Sequence, residues 1–302
     1  MEYTYKKEVL RGIVDTHVHA GPCIFEKLSD EIDLSKRMQN AGYQGAVFMS
    51  HGINADRIHF VRKEVAGFKA IGGITLNQFV GGLNPQAVAY TIALGGQYVK
   101  MGTIHTAHHQ RVHGSATYSN IRRIEVTGAP KTVKGVTILD DEERIAPGVY
   151  EILDMIAASN IVLLTGHLSP TETRTIIKAA KERGVKKIVI THPDWEIMEF
   201  SAENQIEFAK MGAILEKTFE ALVQFYGIPS DRSDIRNMAK LIKIVGANKC
   251  IMSTDLGSGR AFLDPIEGMR IYIELMKRQD ISQEEIDIMT KDNPCWLYDL
   301  DN

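Results

Sequence analysis

Eight short runs rich in Val, Ile and Leu recur along this chain, at 13–19, 44–51, 69–76, 97–103, 161–167, 186–192, 213–217 and 249–255. Amphipathic stretches follow them, at 29–41, 53–66, 83–94, 146–159, 169–183, 201–211, 231–245 and 264–278. Near-continuous apolar runs of this length suit strands buried on both faces, the condition of parallel strands joined by crossover helices. Several of the helical stretches open on Ser, Asp, Asn or Pro, which satisfy or dispense with the free N–H groups of a first turn. Eight such pairs predict an α/β fold in which the strands close into a (β/α)8 TIM barrel, and 302 residues fit one barrel as a single domain over 1–302.

The regular spacing fails once. After the fourth strand, residues 104–145 replace a short loop. Segments 121–127 and 135–139 alternate like strands around the turn-rich GAPKTVKG, which predicts a β-hairpin insertion. The insertion is basic: Arg111, Arg122, Arg123, Lys131 and Lys134 stand against Glu125, in a chain whose net charge is −3. Arising from the rim of a barrel, it makes Arg122 and Arg123 candidates for holding a carboxylate or phosphate on a substrate. A solvated hairpin or a subunit contact in a homo-oligomer is the competing reading. The last residues read as a closing helix and a packed tail.

Four of the predicted strands share an ending. IVDTHVH, NIVLLTGH, KKIVITH and KCIMSTD each finish on a metal-ligand residue type, and in a parallel barrel all strand C-termini converge on one rim. His17 and His19, two apart, point the same way, with Asp15 behind them. One such histidine is ordinarily a hydrogen-bonded core residue. Five ionisable groups crowded at four strand ends instead call for a cation to offset their desolvation. His17, His19, His167, His192 and Asp255 are therefore the candidate metal ligands, with zinc the default and iron or manganese compatible. Asp255, a carboxylate at the last strand, is the candidate proton carrier for a metal-activated water.

Further rim residues have two readings each. His51, His105 and His109 are candidate substrate-binding residues, whereas His108 and His113 read as loop residues, and Trp195 as pocket wall or packing. Lys100, inside the apolar run QYVKMG, is costly to bury unless paired, for instance with Glu216, or modified. Cys23, Cys250 and Cys295 are too scattered for a disulfide framework. No basic bias favours nucleic acid, and no run is long enough to span a bilayer, so the expected partner is a small molecule and the expected place the cytoplasm.

VDTHVH, TGH, THP and STD, in that order over nearly the whole chain, resemble the amidohydrolase superfamily of metal-dependent hydrolases, and MTKDNPCWLYDL is similar to that family's closing helix and tail. The likeness is to a poorly characterised branch, so it implies fold and metal chemistry and leaves the substrate open. It implies that His17 and His19 bind a more buried metal, that His167 and His192 bind a more exposed one, and that Asp255 is both ligand and proton shuttle. Lys100 would be the carboxylated bridge between them, giving one or two metals per chain. The expected reaction is hydrolysis of an amide, lactone, ester or related bond; the alternatives are a single-metal decarboxylase or lyase, and a metal-binding scaffold without chemistry.

Overall fold

The computed structural model describes residues 7–116, 127, 133–140, 142, 144–223, 234–259 and 263–300. Among these, nine strands run in chain order: β1 Val14–Val18, β2 Gly45–Phe48, β3 Lys69–Ile71, β4 Gly73–Thr75, β5 Tyr98–Lys100, β6 Val162–Leu164, β7 Ile188–Ile190, β8 Ile214–Thr218 and β9 Cys250–Ser253. All pair in parallel with their neighbours in sequence, except that β3 and β4 are one strand interrupted at Gly72. The first half pairs with β2 and the second with β5. A side chain at Gly72 would meet Ile58 and the Asn54 amide, so the break marks a place where a helix lies against the strand backbone. Counted this way the sheet has the eight predicted strands.

The ring closes just beyond the ladder ends. Asp255 N donates to His17 O and His19 N to Leu256 O, both at 2.8 Å, and Val18 lies opposite Leu256. Asp15 locks the seam: its carboxylate accepts from His17 N, from Thr254 N and from the Thr254 hydroxyl, the last at 2.6 Å. A buried carboxylate with three donors is satisfied where an isolated one would be costly.

The predicted helices are α1 Glu31–Ala41, α2 Ala55–Glu64, α3 Pro85–Ala93, α5 Pro147–Ser159, α6 Pro170–Glu182, α7 Ala202–Lys210, α8 Ile235–Val245 and α9 Pro265–Lys277. Asp30, Asn84, Ser169, Ser201, Asp234 and Asp264 cap their first turns through side-chain oxygens. These helices pack the outer core against the strands. A separate inner core of Val47, Ile71, Tyr98, Val162, Val189 and Ile251 fills the lumen, and Leu297 and Tyr298 join it from below. These last two belong to α11 (Asn293–Tyr298), which follows α10 (Gln283–Asp287) and whose backbone and neighbours bind the strand starts: Gln97 donates to Tyr298 O and Lys187 pairs with Asp299.

The insertion departs from its sequence reading. It opens with a helix, α4 Ala107–His113, capped by Thr106. Segment 121–127 lies outside the described residues apart from Thr127, and 135–139 makes only single bridges, Val136 with Thr106 and Leu139 with Ile145. That returning arm is held by Glu172, whose carboxylate accepts from the Thr137 hydroxyl and Ile138 N at the start of α6.

Candidate metal centre

All five expected ligands lie at the C-terminal rim. His17 is on β1 and His19 directly beyond it, on the same side; His167, His192 and Asp255 follow β6, β7 and β9 by two or three residues. His192 and Asp255 take positive φ values, 29° and 57°, and Gly166 before His167 has φ 59°. A side chain at Gly166 would collide with the carbonyls of Met101 and Gly102, so only glycine lets the chain turn there against the end of β5. Left-handed conformations after β6, β7 and β9 turn the chain sharply where the candidate ligand side chains stand.

His17 Nε2 lies 3.1 Å and His19 Nε2 3.0 Å from the same oxygen, Asp255 Oδ1. The other nitrogen of each ring is committed. His19 Nδ1 is 3.1 Å from Met49 O, which can only accept, so this nitrogen carries the proton. His17 Nδ1 is 3.1 Å from both Glu216 oxygens, and His17 Nε2 is itself 3.4 Å from the Lys100 ammonium, a donor. Burial lowers the His17 pKa to about 3, against the charge of Asp255, and holds His19 well below its ordinary value, so both rings are neutral. Two Nε2 lone pairs, that of His17 reached at long range by Lys100, therefore aim at a carboxylate oxygen that burial pushes upward in pKa. A single proton can relieve one of these two contacts; a divalent cation relieves both, and the three donor atoms lie within 4.8 Å of one another. The donor set fits a metal.

A second pair adjoins the first. His167 Nε2 is 3.2 Å from His192 Nε2, and His167 Nδ1 is 2.7 Å from His109 Nδ1. His192 Nδ1 is buried without a hydrogen-bond partner among the described residues. The His17 and His192 rings are 6.0 Å apart between centroids, so the two pairs border one space. Lys100 lies between β4 and β6, fully enclosed, and no carboxylate among the described residues reaches it within ion-pairing distance. Burial lowers its pKa, opposed by the charges of Asp255 and Glu216. The alternative of an ion pair between Lys100 and Glu216 is not realised: Glu216 instead accepts from His17 and from His192 N at 3.2 Å, tying both histidines to β8. Burial pushes Glu216 to about 7, against the Lys100 charge. A glutamate inside the apolar stretch AILEKTF was the signal for this role, and sequence reasoning used it only as a counter-ion.

The remaining rim residues separate. His51 stands on the cavity wall, stacked on His19 at 5.7 Å and 3.3 Å from Cys23 Sγ. Trp195 stacks on His192 at 4.6 Å, so it is both wall and packing. His105 accepts from Gln78 N and packs against Phe79, away from the cavity. His109 contacts His167 from behind, a position that orients a ligand rather than a substrate. His108, expected in a solvated loop, is buried and bonds Ile197 O at 2.8 Å, because α4 places it against the chain after β7. Arg111 pairs with Glu199; Arg122, Arg123, Glu125 and Lys131 lie outside the described residues. The cavity between the histidines encloses ≈ 20 Å³, room for an ion or a water but not for a substrate body, and Phe25, Lys27, Ser50 and Thr103 complete its lining. Lys27, in the loop after β1, carried no periodic signal and was not anticipated.

A family of unknown function (DUF6282) matches residues 12–216, which include every histidine of the centre, Lys100 and Glu216, while Asp255 lies beyond the match. No curated protein matches the chain by sequence. Solved structures share its fold. An amidohydrolase from Pseudomonas aeruginosa superposes with a TM-score of 0.61 at 12% identity, over 97% of either chain. A probable 2-pyrone-4,6-dicarboxylic acid hydrolase from Acinetobacter baumannii, with citric acid bound, gives 0.56 at 13% identity, over 95% of this chain and 99% of that one. A mutant organophosphorus hydrolase from Deinococcus radiodurans gives 0.56 at 14%, over 96% and 94%. The chain shares the barrel fold of these proteins.

Proposed function

The chain belongs to the DUF6282 family of unknown function, and from its rim chemistry we propose that it is a metal-dependent hydrolase of a small molecule. The observation that carries this is the convergence of two Nε2 atoms, each with Nδ1 occupied elsewhere, on Asp255 Oδ1. His17, His19 and Asp255 would hold one cation, and His167 with His192 a second. When bound, the metal supplies Lewis acidity, lowering the pKa of a water and polarising the bond to be cleaved; zinc suits this nitrogen-rich set, with iron or manganese compatible.

The chain's own residues supply the rest. Asp255 presents a second oxygen beyond the one shared by the histidines, and a carboxylate there can take the proton of the attacking water and return it to the leaving group. Its raised pKa brings it nearer the working range of such a carrier. Glu216 and Met49 O hold the imidazoles in the tautomer that leaves Nε2 free. Lys100, whose lowered pKa favours the neutral amine, would carry the carboxylation that bridges two cations. Phe25 and Trp195 add apolar surface to an otherwise polar wall. An amide, lactone or ester fits this chemistry, and a small anionic substrate accords with the dicarboxylic acid named for one neighbour and the citric acid bound to it.

The test is metal content. Protein purified without chelators is expected to carry tightly bound transition metal, which His17→Ala combined with His19→Ala abolishes while the fold persists by circular dichroism. Full metal occupancy in the double variant would sink the assignment.

A further inference from the structure

We propose that Lys27 selects the substrate, its ammonium binding a single carboxylate on a small organic acid at the mouth of the metal centre. This deepens the reading of the site as a hydrolase centre and rests on it.

Lys27 lies in the loop 20–30 that leaves β1 directly after His19. The loop is fastened to the chain that follows Asp255: Leu28 N donates to Gly257 O at 3.1 Å, Gly259 N to Glu26 O at 2.8 Å, and Lys27 itself stands opposite Ser258. A further bond, Gly21 N to Ser29 O at 2.8 Å, closes the loop on itself. Its side chain is thus held by the same backbone that presents Asp255, and it lines the cavity together with His19, His51 and Asp255.

Among the described residues its ammonium makes no hydrogen bond and no ion pair. A partly enclosed ammonium has three donors to satisfy, and leaving them unmet is costly. Burial lowers its pKa, opposed through space by Cys23, Asp255 and Glu220, and neither carboxylate comes within ion-pairing distance. Asp255 is moreover engaged with His17 and His19. Among the described residues the cationic side-chain types on the cavity wall are Lys27 and Lys100, and Lys100 sits inward against His17. An incoming anion therefore meets Lys27. A lone ammonium matches one negative charge, and among the described residues no arginine on this wall adds the paired donors that favour a phosphate dianion. Phe25 beside it offers an apolar surface for the carbon skeleton.

Butyrate and its neutral counterpart butyramide distinguish charge recognition from packing. Their binding is measured by ligand-observed NMR titration against the wild type, Lys27→Met, Lys27→Gln and Lys27→Arg, each both metal-free and zinc-loaded. The wild type is expected to prefer butyrate by on the order of tenfold or more, the usual scale of a charged hydrogen bond. That preference should fall to near unity in Lys27→Met and Lys27→Gln, survive in Lys27→Arg, and shrink in high salt. Equal binding of the two ligands by the wild type, or a preference intact without the lysine, overturns the proposal, the latter assigning the anion to the metal. Protein that takes up no zinc would refute the hydrolase reading alone, since the preference in metal-free protein still reports on Lys27.

Discussion

Glu216 shows how one side chain sets the state of others. Its carboxylate accepts from His17 Nδ1 and His192 N, so it fixes a ring on one strand and a backbone turn on the next. Replacing it with glutamine keeps the shape, removes the charge, and sets a two-donor amide group against one of those donors. Glu216→Gln is expected to weaken metal binding by roughly 10–100-fold, the scale seen when the orienting partner of a metal histidine is lost. Competition with a chromophoric chelator measures this, and an affinity equal to wild type would mean that Glu216 serves packing only. His17, His19, His167, His192 and Asp255 were readable because each ends a strand whose neighbours obey a period. Glu216 and Lys27 were harder, since their roles depend on partners 199 residues away and on a loop with no period at all.

At the scale of elements, strands and helices were legible because burial on both faces writes a continuous apolar run and an amphipathic helix writes a 3.6-residue period. Where neither code applies the reading failed. Helix α4 is seven residues of AHHQRVH, too short and too polar to show a face, and its stability comes from the Thr106 cap and from His108 and His109 packing inward. The Gly72 break in the third barrel strand was likewise hidden inside one apolar run. Turns between elements carry a testable cost. Gly166 and Gly184 both have positive φ, 59° and 81°, but a side chain at Gly166 strikes the carbonyls after β5 whereas at Gly184 it meets nothing within 4 Å. Gly184→Ala is expected to cost about 1–2 kcal/mol, the penalty of the left-handed conformation alone. Gly166→Ala should cost roughly 1–3 kcal/mol more, as strain at an over-determined site does, and should also disturb metal binding through His167. Urea denaturation of the two variants compares them directly; equal losses would show that the end of β5 yields to the added methyl group.

The whole molecule separates stability from chemistry along the barrel axis. At one end the strands finish in candidate metal ligands, strained turns and a basic insertion; at the other, α11 inserts Leu297 and Tyr298 beneath the lumen and is bonded to the strand starts through Gln97, Lys187 and Cys250. Barrels divide labour in this way because loops on the C-terminal rim can change without disturbing the layers below. Leu297 is fully buried against Val47, Ile71 and Ile251, so its truncation leaves a void that the rigid strand ring cannot readily collapse around. Leu297→Ala is therefore expected to cost about 2–5 kcal/mol in urea denaturation. The metal affinity of the fraction that remains folded should be unchanged, since no ligand touches the inner layer at that end. Calorimetric titration with zinc below the denaturation midpoint reads that second quantity. A loss of affinity beyond the loss expected from unfolding would show that the lumen transmits strain to the rim, and that the two ends of the barrel are one cooperative device.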